Sequence, residues 1–268
     1  MVKQEQGFLQ TWFEGYIDGF RDRDGVLHPL LELKRCHSLR VAENARLIAT
    51  ALGLPKEEQR LAEGVGLVHD VGRFTQFAQH GSFRDAVTVD HGIEGRRVLE
   101  AQNLSFLSSR DRELLLCVVE YHNRKQTDIP SGLHPAQDRL LRLIRDADKL
   151  DIMELVLQAV ASDGFRGLPD MLPHIRMSRE VSRDVLAEAT KTKSVSSGNL
   201  STLGDFLVML ALWFYDLNYL PTMQLAVERD IWVRIRRELP DAEAIRELLS
   251  NISKTIVKTG GVTHPGRT

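Results

Sequence analysis

Apolar residues recur with a period of 3.6 through most of this chain, and no sustained period-two alternation bounded by Asn-Gly or Asp-Gly turns interrupts them. That pattern restricts the chain to an all-α fold. The first segment, Phe8 to Phe20, is amphipathic and rich in aromatics, which at this spacing read as packing residues. Leu30 to Leu52 follows, closed by Gly53 and Pro55, and then a run carrying Leu61, Ala62, Val65, Leu67 and Val68. Another helix opens at Asp90-His91. The next takes Ser109 as its N-cap and ends at Tyr121-His122-Asn123. Gln137 to Ala161 is the most strongly periodic stretch, and the segment from Arg73 to Asp90 the loosest, with Gln79 to Arg84 reading as an exposed loop that contains His80.

Beyond Gly164 the character changes. A Pro-containing loop and the polar tract Lys191 to Asn199 precede three expected helices, Thr202 to Leu217, Pro221 to Leu239 and Ala242 to Lys258. The expected organisation is an N-terminal helix within 1–29, a core over 30–161, a helical extension over 162–259 and a disordered tail over 260–268.

A chain of 268 residues buries a full core without help from disulfides or metal, so any metal it binds is expected to serve function. With 35 basic and 37 acidic residues it carries no broad basic field for extended nucleic acid. Cys36 and Cys117 form no Cys-x-x-Cys arrangement, which argues against a thiolate metal site and fits a reducing cytoplasm. The longest apolar run, Phe206 to Tyr215, is about half of the roughly twenty residues that a spanning helix needs, so no membrane association is expected.

Within this helical frame, polar side chains sit where a core should be. The segment Gly66 to Arg73 sets His69-Asp70 at the end of an apolar helix. His37 shares a helix face with Val41, Ala45 and Ile48 and so faces inward. A short turn makes these two helices antiparallel neighbours, which brings His37 close to His69. His91 lies in the first turn of one helix and His122 at the tip of another. On the Gln137–Ala161 helix, Asp148 points within about 40° of Leu141, Ile144, Ile152 and Leu155, while Asp146 points to nearly the opposite side. Asp151 also falls within the apolar arc, and the wheel does not choose between it and Asp148. A buried carboxylate there requires a cation beside it. Four imidazoles and two carboxylates are donors suited to Fe, Mn, Zn or Co, and six ligands are better shared between two ions than given to one hydrolytic metal.

The order His…His-Asp…His…His…Asp over Leu30 to Ala161 resembles the HD-domain metal-dependent phosphohydrolase superfamily in its two-metal form. The resemblance implies an HD-type helical bundle with metal held by His37, His69, Asp70 and Asp148, the last chosen over Asp151 because it lies in Ala147-Asp-Lys-Leu150. In similar two-metal proteins, histidines matching His91 and His122 complete a second site, and Asp70 bridges. The cofactor implied is one or two divalent ions of Fe, Mn, Zn, Co or Ni. Arg73 stands where similar enzymes have a basic residue near the scissile phosphate, and with Asp70 it is the expected catalytic pair. Arg73, Arg84, Arg124, Lys125 and Arg145 are the candidate phosphate-binding residues.

The expected activity is hydrolysis of a phosphate ester or anhydride, mono- or diester, of a nucleotide or other small phosphorylated metabolite. The same ligand set in a few similar proteins supports a mixed-valence di-iron oxygenase, and a non-catalytic nucleotide sensor is the third reading. The C-terminal helices are expected to pack on the core or to form a homo-oligomer contact.

Overall fold

The computed structural model describes residues 1–162 and 172–259; the expected tail over 260–268 and the loop just after Gly164 lie outside them. Among the described residues the architecture is helical, with one isolated bridge between Arg176 and Thr202 as its single β feature. Two compact units divide the chain, Met1–Asp151 and Ile152–Thr268.

In the first unit the order is α1 (Lys3–Asp18), α2 (Pro29–Ala51), α3 (Lys56–Val68), α4 (Gly72–His80), α5 (His91–Glu100), α6 (Ser109–Tyr121) and the start of α7 (Pro135–Ser162). Pro29 at the first position and the His28 side chain, which accepts from the Leu30 amide, start α2. The apolar stripe of α2, Val41, Ala45 and Ile48, is fully buried and packs chiefly on α3. Gly66 permits this approach: a Cβ there would lie 3.0 Å from the Ala42 Cα and the Val41 carbonyl. Of the α1 aromatics, Trp12, Phe13 and Tyr16 pack, whereas Phe8 is 48 % exposed. Leu9, Phe13 and Ile17 are fully buried, each stabilising by about 2 kcal/mol on transfer from water, and Phe13 meets Phe74 edge-on at 6.4 Å. Tyr16 donates from its hydroxyl to the Val71 carbonyl at 3.2 Å, anchoring the turn that follows His69-Asp70. Burial pushes that phenol up to about 12.

Several sequence expectations need correction. Residues 72–80 are helical, so Gln79 and His80 belong to the end of α4 and only residues from Gly81 onward form loop. This helix has few aliphatic residues to mark it; burial of Phe74 and Gln76 holds it instead. The cap of α6 is Ser108, whose hydroxyl accepts from the Asp111 amide, and Ser109 is the first helical residue. Asp146 is fully buried, whereas the Asp148 side chain is 21 % exposed, the reverse of the wheel's ranking of those two. Leu143 and Leu150, on the Asp146 side of α7, are buried as well, so this helix has no single wet face.

The second unit contains α8 (Arg183–Thr192), unmarked in the sequence reading, then α9 (Leu203–Leu212), α10 (Leu220–Glu228), α11 (Ile231–Glu238) and α12 (Glu243–Lys258). Thr202 and Asp205 cap α9 reciprocally, the Thr202 hydroxyl accepting from the Asp205 amide and the carboxylate from the Thr202 amide. The expected helix over Thr202 to Leu217 passes into a 3₁₀ turn at Trp213–Tyr215. The expected single helix over Pro221 to Leu239 is two, broken at Asp230, which adopts a left-handed φ of 54°. Phe214 packs on Trp232 with ring centroids 5.2 Å apart.

Candidate metal centre

Three helix ends and one helix face converge on Asp70. His37 comes from the third turn of α2, His69 caps the C-terminus of α3, His91 opens α5 and His122 caps the C-terminus of α6. All four imidazoles are at most 5 % exposed, and Asp70 is 3 % exposed. Neighbouring ring centroids lie 5.2 Å (His37 to His69), 5.1 Å (His69 to His122) and 4.9 Å (His91 to His122) apart.

The two oxygens of Asp70 face different histidine pairs. Oδ2 lies 3.6 Å from His37 Nε2 and 3.8 Å from His69 Nε2, while Oδ1 lies 3.4 Å from His91 Nε2 and 3.6 Å from His122 Nε2. Two overlapping triplets result, His37-His69-Asp70 and Asp70-His91-His122, each close enough to hold one ion. Asp148 Oδ1 adds to the first, 3.1 Å from His37 Nε2 and 3.7 Å from His69 Nε2.

The hydrogen bonds on the far side of each ring fix what the near side offers. Nδ1 of His69 meets the Gly66 carbonyl at 2.7 Å, and Nδ1 of His122 meets the Val119 carbonyl at 2.8 Å. His37 Nδ1 meets Asp151 Oδ2, and His91 Nδ1 meets Asp85 Oδ2, both at 2.6 Å. All four of these partners are acceptors, so each Nδ1 carries a proton and donates, and the second nitrogen of each ring, Nε2, is turned toward Asp70. The Nε2 atoms of His37 and His69 are buried without a hydrogen-bond partner, and those of His91 and His122 face each other at 3.1 Å, where two rings in the Nδ1–H form meet lone pair to lone pair. Such a cluster fits a cation: it relieves the repulsion and fills the orphaned acceptors.

The electrostatics differ between the rings. Burial pushes His91 down, Arg73 adds to this, and the ring falls to about 4, so it is neutral near pH 7 as a ligand must be. Burial and Lys34 push His37 down, but Asp148 and Asp151 outweigh them and raise it. Burial raises the Asp70 carboxyl, yet Lys34 and the surrounding histidines hold it well below its ordinary range. Asp148 is held low in the same way by His37 and His69.

Residues 35–153 match the protein-family model described as HD domain. This stretch of the chain is an HD domain. The match takes in His37, His69, Asp70, His91, His122 and Asp148, and HD domains are in general metal-dependent phosphohydrolases. No curated protein and no solved structure matches the chain.

Around this HD centre the basic residues singled out from sequence take different places. Arg73 donates from Nη1 to Gln76 Oε1, to the Phe83 carbonyl and to Asp85 Oδ1 at 2.7 Å, and its Nε lies 3.6 Å from Asp70 Oδ1. Arg124 pairs with Asp90 at 3.1 Å, and Arg145 donates to the Arg124 carbonyl at 2.6 Å. Arg84 and Lys125 are exposed. Two contributors escaped the sequence reading. Lys34 reaches Asp70 Oδ2 at 2.7 Å, and its place three residues before His37, on the same face of α2, was a usable signal. Asp85 sits in the non-periodic stretch between α4 and α5, where no pattern marks it.

Proposed function

We propose that this HD domain hydrolyses a phosphate ester or anhydride of a nucleotide or similarly small phosphorylated metabolite, with divalent ions held by His37, His69, Asp70 and Asp148 and by Asp70, His91 and His122. One observation carries the reading: the two oxygens of Asp70 are divided between two histidine pairs, as a carboxylate shared by two ions requires. Ions of the Fe, Mn, Zn, Co or Ni type supply Lewis acidity and an acidified water when bound.

The chain's own residues do the remainder. Four imidazoles with their tautomers fixed present donor atoms without rearrangement. Asp148, the most exposed of the ligand group, lies on the side where water and substrate have access. Arg73, fixed by Asp85 and the Phe83 carbonyl, holds its guanidinium against Asp70 and offsets anionic charge there. Arg84, Arg124, Lys125 and Arg145 are the further cations we assign to the substrate's phosphate groups.

The test is phosphate release from a panel of nucleotides and phosphorylated metabolites by EDTA-treated protein resupplied with Mn²⁺. Activity in the wild type and its loss in Asp70→Ala are expected. Unchanged activity in that variant overturns the proposal, and turnover that demands iron and O₂ assigns the ligand set to an oxygenase instead.

A further inference from the structure

Each triplet contains one imidazole steered by a backbone carbonyl and one steered by a carboxylate. His69 and His122 donate to the carbonyls of Gly66 and Val119, three residues earlier in their own helices. His37 donates instead to Asp151, which Arg40 grips with Nε at 2.5 Å from Oδ1 and Nη2 at 3.0 Å from Oδ2. His91 donates to Asp85 Oδ2, while Asp85 Oδ1 receives Arg73 Nη1 at 2.7 Å and Gln76 Nε2 at 2.9 Å. Two carboxylates, each tied to an arginine, therefore stand behind two different ligand rings.

We propose that Asp85 and Asp151 are positioning residues that each control one ion, so that the two metal sites respond to separate residues. The proposal rests on the two-ion reading above. A carboxylate behind a histidine fixes the Nδ1–H tautomer, holds the ring plane and raises the basicity of Nε2, and removing it costs about 10- to 100-fold in metal affinity.

The two carboxylates differ in setting, and this ranks the sites. The Asp151 side chain is 2 % exposed and belongs to the long helix α7. The Asp85 side chain is 31 % exposed in the three-residue 3₁₀ turn Asp85–Val87, on the connection between α4 and α5. That connection is held at its base by Gln76, whose side-chain amide also donates to Thr88 Oγ1 and the Val89 carbonyl. The ion at Asp70-His91-His122 thus depends on a surface segment. It binds more weakly and exchanges faster than the ion at His37-His69-Asp70.

The experiment is Mn²⁺ binding to the metal-free full chain by titration calorimetry, with metal content measured after desalting. Wild type takes up two ions per chain. Asp85→Asn weakens the weaker ion by about 10- to 100-fold and spares the other, Asp151→Asn does the converse, and Asp85→Glu recovers part of the loss. In Asp85→Asn/His91→Ala, affinity is no lower than in His91→Ala alone, which a general loosening of the fold would not produce. Should Asp151→Asn fail to fold, Arg40→Gln at a half-exposed guanidinium loosens the same carboxylate. If Asp85→Asn leaves both affinities unchanged, or weakens both equally, separate control is overturned while the two-ion reading stands. A wild-type chain that binds no Mn²⁺ removes the metal reading itself.

Discussion

Lys34 Nζ lies 2.7 Å from Asp70 Oδ2, the same oxygen that faces His37 and His69. On the proposed two-ion reading, an ammonium and a divalent ion thus make rival claims on one carboxylate oxygen. Replacing Lys34 by Met leaves a buried carboxylate short of a counter-charge in the metal-free protein, a cost of about 1–3 kcal/mol. Because an ion at Oδ2 displaces the ammonium, the same change returns as tighter metal binding, on the order of tenfold per 1.4 kcal/mol. Lys34→Met is therefore expected to melt earlier in EDTA and to bind Mn²⁺ more tightly. Thermal melts with and without Mn²⁺ check both, and an unchanged Mn²⁺ affinity rejects the rivalry.

Gly72 lies where α4 and α5 touch. A Cβ there would run into the His91 carbonyl oxygen and lie 2.5 Å from the Gly95 amide nitrogen. Backbone atoms cannot step aside as a flexible side chain can, so Gly72→Ala must push α5 outward with His91 at its first residue. The expected cost is about 1–3 kcal/mol, with weaker binding of the ion at His91 and His122. Urea unfolding together with a Mn²⁺ titration reads both, and a variant as stable as wild type contradicts the close approach.

Asp205 in the second unit accepts hydrogen bonds from the amides of Ser182, Ser201 and Thr202 and from the hydroxyls of Ser182 and Ser201, at 2.7–3.2 Å. Burial raises this carboxyl, but the Ser182 and Ser201 hydrogen bonds outweigh it and the net shift is downward. A folded-state value below the unfolded one, about 3.9, contributes stability above that pH and loses it as pH falls through the folded value. Asp205→Asn should therefore be less stable than wild type at pH 7, by about 2 kcal/mol, and the gap should close below about pH 4. Melting temperatures between pH 3 and 7 follow it; a gap that persists unchanged into acid contradicts the assignment.

Much of the centre was legible because its candidate ligands lie in or beside periodic helices. The register of His37 with Val41, Ala45 and Ile48 predicts its inward face, and the short α2–α3 turn predicts its proximity to His69. The structure brings the rings 5.2 Å apart. The failures share a cause, a partner supplied from elsewhere in the fold. Asp146 is buried because α7 is enclosed on more than one side, which no single-helix wheel represents. Helix α4 lacks an aliphatic stripe and is held through Phe74 and Gln76. The break at Asp230 carries neither Gly nor Pro to announce it. Asp85 acquires its importance only when the 81–90 segment places it against His91 and Arg73.

The carbonyls that His69 and His122 use belong to the last turn of α3 and of α6, where a helix leaves acceptors without amide partners. Each ring is thus part of its own helix's termination, and its orientation is set as soon as that helix forms. Little ordering entropy remains to be lost when an ion arrives. The rate of metal capture should then follow the speed at which the ion sheds its water, differing among Mn²⁺, Co²⁺ and Ni²⁺ as their aqueous exchange rates do, and not any motion of the protein.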